Sequence, residues 1–132
     1  MMDSQMNFKI KVMSFGYKYG VPSDVSFLQD VRFLPNPYYD ESLKPKTGLI
    51  KEVRDYVKNS EVSLNYIASL KSLLDLTISA CIESGRKEDM IIAIGCTGGR
   101  HRSVTVAYEL FEHLKNKGYN PEVYHRDIEK DK

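Results

Sequence analysis

Cysteine is scarce: the chain of 132 residues carries two, Cys81 and Cys96. Two thiols do not make a disulfide framework, and such usage suits a reducing compartment. No apolar run is long enough to cross a bilayer, and Met1 to Asn7 is too short and too polar for a signal peptide. A cytoplasmic protein with no membrane partner is therefore expected. An excess of charge is missing as well, since 19 basic residues face 18 acidic ones for a net charge of +1. That balance gives no global attraction to a polyanion, so nucleic-acid binding would need a local patch. Cysteines, histidines and carboxylates nowhere share metal-ligand spacing, which leaves no metal and no cofactor to expect. Repeats and low-complexity segments are also absent. What remains is ordinary: 42% apolar and 28% charged residues, enough for one soluble domain with a real core.

Phe8 to Phe15 alternates apolar with polar residues, as a first strand does. Gly16 to Pro22 is a loop. Val25 to Leu34 is a second strand, stopped by Pro35-Asn36-Pro37 because neither proline donates to a ladder. Tyr38 to Gly48 is charged and irregular, long enough for a functional lid. Leu49, Ile50, Val53, Tyr56 and Val57 mark a short helix. Asn59 or Ser60 caps a longer one, with Leu64, Ile67, Leu70, Leu74, Ile78 and Cys81 inward and Gly85 as its stop. Met90 to Ala93 is a buried strand, Val104 to Leu114 a third helix ending at Gly118, and Glu122 to His125 a last strand before a charged tail. The order β-β-α-α-β-α-β predicts an α/β fold: a mainly parallel sheet of about four strands covered by three helices in a single domain. The domain spans residues 8–132, after a disordered tail over 1–7.

Between the third strand and the third helix lies Ile94-Gly95-Cys96-Thr97-Gly98-Gly99-Arg100-His101-Arg102-Ser103. A glycine-rich turn entering a helix, expected here to start near Arg100, leaves several N–H groups unpaired, and the helix dipole adds positive charge beside them. Gly98 and Gly99 tolerate positive φ and remove Cβ atoms that would hold a ligand off the backbone. Arg100, His101 and Arg102 bring two fixed cations and one titratable group, and Thr97 and Ser103 bring hydroxyls. No packing requirement calls for that concentration of basic residues. The turn reads as an anion site, suited to a phosphoryl group.

Ligands of open α/β sheets sit beyond the carboxyl ends of the strands. Parallel strands would therefore bring Lys18, Arg32 and Tyr38 toward Cys96, Thr97, Gly98, Gly99, Arg100, His101, Arg102 and Ser103. For Arg32 the competing reading is a structural ion pair with Asp30 or Asp40. His113 reads as a solvated surface residue. Tyr17 and Tyr19 read as walls of a pocket or an interface, and Tyr17, Tyr19, Tyr38 and Tyr39 together as exposed aromatics of an interface.

With these residues laid out, the chain resembles the C-terminal domain of the RapZ family, bacterial RNase adapters formerly described as P-loop nucleotide-binding proteins. The matching segments are Ser14 to Gly20, Asp30 to Pro37, Thr47-Gly48-Leu49 and Ala93 to Ser103, which run in the family's order. The resemblance implies binding of an amino-sugar phosphate such as glucosamine 6-phosphate, oligomerisation to a dimer or tetramer, and a contribution to small-RNA binding. Tyr38-Tyr39 stands where the family often shows His-Trp. The segment from Arg126 to Lys132 is nearly charge-balanced where RNA-binding members have a strongly basic tail, so at most weak RNA binding is expected. Family members carry an N-terminal P-loop domain, but no G-x-x-x-x-G-K-[ST] occurs here, and nucleotide hydrolysis is not expected. The start Met1-Met2-Asp3, without an interdomain linker, suggests a stand-alone domain.

One rival comes from the same loop. Cys96, Gly99, Arg102 and Ser103 also satisfy the cysteine phosphatase pattern C-x-x-G-x-x-R-[ST], with Cys96 as nucleophile and Arg102 as phosphate holder. That class needs a general acid, and Asp24, Asp30 and Asp40 have no context that marks one. A non-enzymatic binding domain is the favoured expectation.

Overall fold

The computed structural model describes residues 6–130, so most of the tail expected over 1–7, and the last two residues, lie outside the described part. Strands β1 (Ile10–Gly16), β2 (Phe27–Asp30), β3 (Met90–Cys96) and β4 (Glu122–His125) form one sheet in the order β2-β3-β1-β4. Every pairing is parallel. Helices α1 (Lys51–Val57), α2 (Glu61–Glu83) and α3 (Arg102–Asn116) complete an α/β domain.

The strand order explains where the helices go. β2 to β3 and β3 to β4 step across the sheet in the same direction, so right-handed crossovers place all three helices on one face. Ile10 and Val12 of β1 and Met90, Ile92 and Ile94 of β3 join one core with Ile67, Leu70 and Leu74 of α2 and Leu110 and Leu114 of α3. On the other face the rings of Phe15 and Tyr17 lie over Gly95, and Leu28 and Tyr124 stay exposed.

Local chemistry sets the boundaries. Ser60 caps α2, its Oγ accepting the Ser63 N–H at 3.0 Å, and Gly85 with φ +78° follows its end. β2 is shorter than its sequence pattern suggests. The Asp30 carboxylate accepts the Arg32 N–H at 2.9 Å and bends the chain into a turn. Val31 and Leu34 then bury while Arg32 and Phe33 face outward. Leu64, expected inward on α2, is exposed. His113 is not a free surface residue either, because its Nε2 lies 2.8 Å from Asp75 Oδ1 and ties α3 to α2.

The charged tail is folded as far as Lys130. Asp127 is fully buried, accepts the Gly16 N–H at 2.8 Å and pairs with Arg126 and Lys130. Burial raises its pKa, but those hydrogen bonds outweigh it and hold the carboxyl below its usual range. The composition of the charged tail does not mark this buried carboxylate, because the partner of Asp127 lies on β1, far away in sequence.

His101 and His125 are both held below the usual histidine pKa, chiefly by burial. His125 Nδ1 sits 2.7 Å from Ser14 Oγ. The unfolded chain therefore binds more protons at mildly acid pH. Stability is fully present above the unfolded value of about 6.5 and is lost as pH falls through the depressed folded values. Thermal melting across this range is expected to show a falling Tm on acidification, with a shallower fall in His125→Gln. The carboxylates, whose usual values lie near 4, contribute only at lower pH. A flat Tm between about pH 8 and 5 would contradict this.

Candidate anion-binding site

β3 ends at Cys96 and α3 begins at Arg102, two residues later than the sequence suggests. Five residues, Thr97 to His101, thus stand outside the helical ladder, ahead of a helix N-terminus. The loop lies directly on β1. A Cβ on Gly16 would stand 2.5 Å from the carbonyl carbon of Gly98, and one on Gly99, whose φ is +81°, would stand 2.7 Å from the Gly16 nitrogen. Gly99 is therefore required by its backbone conformation and by packing against β1, rather than by ligand approach. Lys18, on the short 3-10 turn after β1, donates its N–H to the Thr97 carbonyl at 3.1 Å.

The basic residues of the loop divide their work. Arg100 is a staple: Nη1 donates to the Ile128 carbonyl at 2.8 Å and Nη2 to the Pro45 carbonyl at 3.0 Å. Its own carbonyl accepts the Gly48 N–H at 2.9 Å. His101 is buried with Nε2 3.1 Å from the Lys44 carbonyl. That nitrogen must donate, since a carbonyl only accepts. Three bonds thus fix the segment 44–48 to the loop. It is a wall held in place rather than the free lid expected from its length.

Arg102 is 6% exposed. Its Nη1 donates to the main-chain carbonyl of Arg32, and Nη2 lies 3.3 Å from Thr97 Oγ1. Its Nε is buried without a partner, and no carboxylate pairs with it among the described residues. A buried guanidinium that meets only neutral acceptors is costly unless something anionic completes it.

These elements surround a cleft of about 920 Å³. Cys96, Thr97, Gly98, Arg100, His101 and Arg102 form its floor, and Lys18 contributes from the β1 side. Tyr38 and Lys44 close the far side, the Lys44 Nζ lying 4.3 Å from the centre of the Tyr38 ring. Sequence reasoning missed Asn36, Tyr39, Lys44, Pro45 and Thr47, although they fall in or beside the segment singled out for its length. Glu129 was also missed, and nothing in the composition of the tail marks it.

Arg32 does not share the cleft. Its guanidinium pairs with Asp30 at 2.7 Å and stacks 3.8 Å from the centre of the Tyr17 ring, so only its carbonyl reaches the site, through Arg102. Gly99 and Ser103 lie beneath the surface of the loop. The Ser103 Oγ is 3.1 Å from Cys96 Sγ, and both side chains are buried. Of the acids considered for a phosphatase, Asp30 is held by Arg32 and Asp40 by Ser42, and neither lines the cleft with Cys96. Tyr17 and Tyr19 are half-buried, while Tyr38 and Tyr39 are exposed as expected.

The family profile of the RapZ C-terminal domain matches residues 8–129. Among curated relatives, a nucleotide-binding protein of Caldicellulosiruptor saccharolyticus is 52% identical over 128 residues, covering 97% of this chain and 43% of the relative. A nucleotide-binding protein of Clostridioides difficile is 50% identical over 92% of this chain and 42% of its own length. One from Dictyoglomus thermophilum is 47% identical over 96% of this chain, again 42% of the relative. The chain thus spans about two-fifths of the length of the relatives it matches. It belongs to the RapZ C-terminal domain family.

Proposed function

We propose that the chain is a regulatory binding domain for a small phosphorylated metabolite, held in the cleft above the loop from Thr97 to Arg102. The observation that carries this reading is Arg102, buried, charged, with an idle Nε donor and without a carboxylate partner among the described residues. A phosphoryl group would complete it by charge-assisted hydrogen bonds, with the N–H groups before α3 as further donors. The cleft volume of about 920 Å³ suits a small organic ligand rather than a bare ion. Tyr38 and Tyr39 offer apolar walls to a sugar ring, and Glu129 offers a carboxylate to hydroxyl or amino groups. An amino-sugar phosphate such as glucosamine 6-phosphate meets these demands. The domain acts by binding and not by catalysis, in the cytoplasm and as a homo-oligomer. Its contribution to small-RNA binding is weak, because near-neutral charge offers few phosphate contacts.

Calorimetry with glucosamine 6-phosphate and with inorganic phosphate tests the reading. The sugar phosphate is expected to bind more tightly than phosphate alone, as its ring gains contacts the ion lacks. Arg32→Ala is expected to change that affinity little, since its guanidinium stands outside the cleft. Absence of heat from either ligand at millimolar concentration would sink the proposal.

A further inference from the structure

The floor of the cleft holds a group whose charge changes near neutral pH, His101. It stands between Arg100 and Arg102 and is 8% exposed. A neutral imidazole carries one N–H, and the Lys44 carbonyl 3.1 Å from Nε2 claims it, because a carbonyl only accepts. Nδ1 is therefore the nitrogen that gains or loses a proton. The residue is the N-cap of α3, yet its side chain makes no capping bond, so Nδ1 is not spent as an acceptor for the N–H groups of the first turn.

The surroundings decide when that nitrogen is charged. Among the described residues the cleft is lined by the cations Lys18, Lys44, Arg100 and Arg102 and by the carboxylate Glu129. Gly48 packs against the His101 carbonyl, and its own carbonyl accepts Arg54 Nη1 at 3.2 Å. Lys46 turns to Glu52 at 3.4 Å. Burial holds the imidazole below the usual histidine range, the carbonyls of Lys44 and Lys46 pull the other way, and Arg100 and Arg102 add to the depression. The empty site thus keeps the ring neutral at pH 7. A dianion resting on the loop reverses the local field, because a surplus of cations then gives way to the charge of the ligand.

We infer that an anion entering this cleft draws a proton onto His101, so that occupancy of the site responds to pH. The inference rests on the phosphoryl site proposed above and adds its regulation. Once protonated, His101 joins Arg102 in bringing two positive charges to a ligand with two negative ones. By linkage, a group that holds its proton more tightly in the complex than in the free protein makes binding tighter as pH falls. The gain sets in at the pKa of the complex and saturates below that of the free protein. A sugar phosphate gives up its own second charge near pH 6, which opposes the gain, so its affinity levels off at about that pH. Occupancy is thereby favoured most just below neutrality.

Inorganic sulfate is the clean probe, since it stays a dianion throughout this range. Calorimetry of sulfate with the full chain is expected to give about three- to tenfold tighter binding near pH 6 than near pH 8. Runs in buffers of low and of high ionisation enthalpy are expected to show uptake of a fraction of a proton per anion, largest between about pH 6 and 7. Proton NMR of the imidazole Cε1–H groups, with sulfate and with glucosamine 6-phosphate, is expected to move the His101 midpoint up by about one pH unit and to leave His113 and His125 in place. His101→Gln keeps an amide donor for the Lys44 carbonyl and is expected to lose both the proton uptake and the pH dependence, while His125→Gln retains them. Sulfate binding with flat affinity and no proton uptake overturns the inference and leaves the anion site standing. An unmoved His101 resonance overturns it whichever anion binds, and so does uptake that survives in His101→Gln. Failure of sulfate, phosphate and glucosamine 6-phosphate alike removes the site itself, and this inference with it.

Discussion

Gly16→Ala is expected to be among the most damaging single-methyl changes available to this protein. The added Cβ would stand 2.5 Å from the Gly98 carbonyl carbon and 2.9 Å from the Gly99 nitrogen. Both are backbone atoms, so no side chain can swing aside. β1 is hydrogen-bonded on both edges, to β3 and β4, and the Gly16 N–H is held by buried Asp127. The strand therefore has nowhere to retreat, and the loop must lift instead. Overpacking of this kind costs about 3 kcal/mol or more, a large share of a typical domain stability. For a chain of this size that is a fall in Tm of roughly 10–15 °C. Gly118→Ala is the control. Gly118 has φ +95°, but nothing lies within 4 Å of the added Cβ, so only backbone strain of about 1 kcal/mol remains. Thermal melts of the two variants should differ by several degrees. Equal melting would mean that the loop does not rest on β1 as described. Because the lifted loop is the floor of the cleft, Gly16→Ala is also expected to weaken phosphate-ligand binding in parallel.

Much of this arrangement is legible in the sequence because it is local. Met90 to Ala93 announces a buried strand by its unbroken apolar run, which the structure extends to Cys96, and Ser60 and Gly85 punctuate α2 by their own hydrogen-bonding and φ preferences. The glycines before α3 mark a turn between strand and helix for the same reason. What stays hidden depends on distant partners. Asp127 looks like one of several tail charges until Gly16 donates to it, and Glu129 becomes a cleft residue only because that turn is anchored. Arg32 is ambiguous from sequence, since the ion pair with Asp30 and the approach to the site use the same side chain. The structure gives the guanidinium to Asp30 and Tyr17 and the carbonyl to Arg102. Leu64, read as core from its spacing, faces solvent because α2 has apolar residues on two sides, and periodicity alone does not say which side packs.

Arg102→Met is expected to separate binding from stability. Among the described residues the guanidinium has gained a carbonyl, a hydroxyl and no carboxylate in place of water, while Nε bonds to nothing. Replacing such a buried charge by an apolar side chain of similar length is often neutral or stabilising, so Tm without ligand is expected to hold or rise. The Arg32 carbonyl and Thr97 hydroxyl lose a donor, which limits the gain. Affinity should respond in the opposite direction. Loss of charge-assisted hydrogen bonds to a phosphoryl group costs about 1.5–3 kcal/mol, or roughly tenfold to a hundredfold in Kd. Stabilisation by ligand should fall with it, since wild type at a hundredfold excess over Kd gains about 2.7 kcal/mol and the variant much less at the same concentration. Arg102→Lys keeps the charge but loses the planar fork, and is expected to fall between the two. Calorimetry and melting on the same samples read both quantities. A large loss of stability with unchanged affinity for glucosamine 6-phosphate and phosphate would make Arg102 a strut between β2 and the loop. It would also remove the main support for an anion in the cleft.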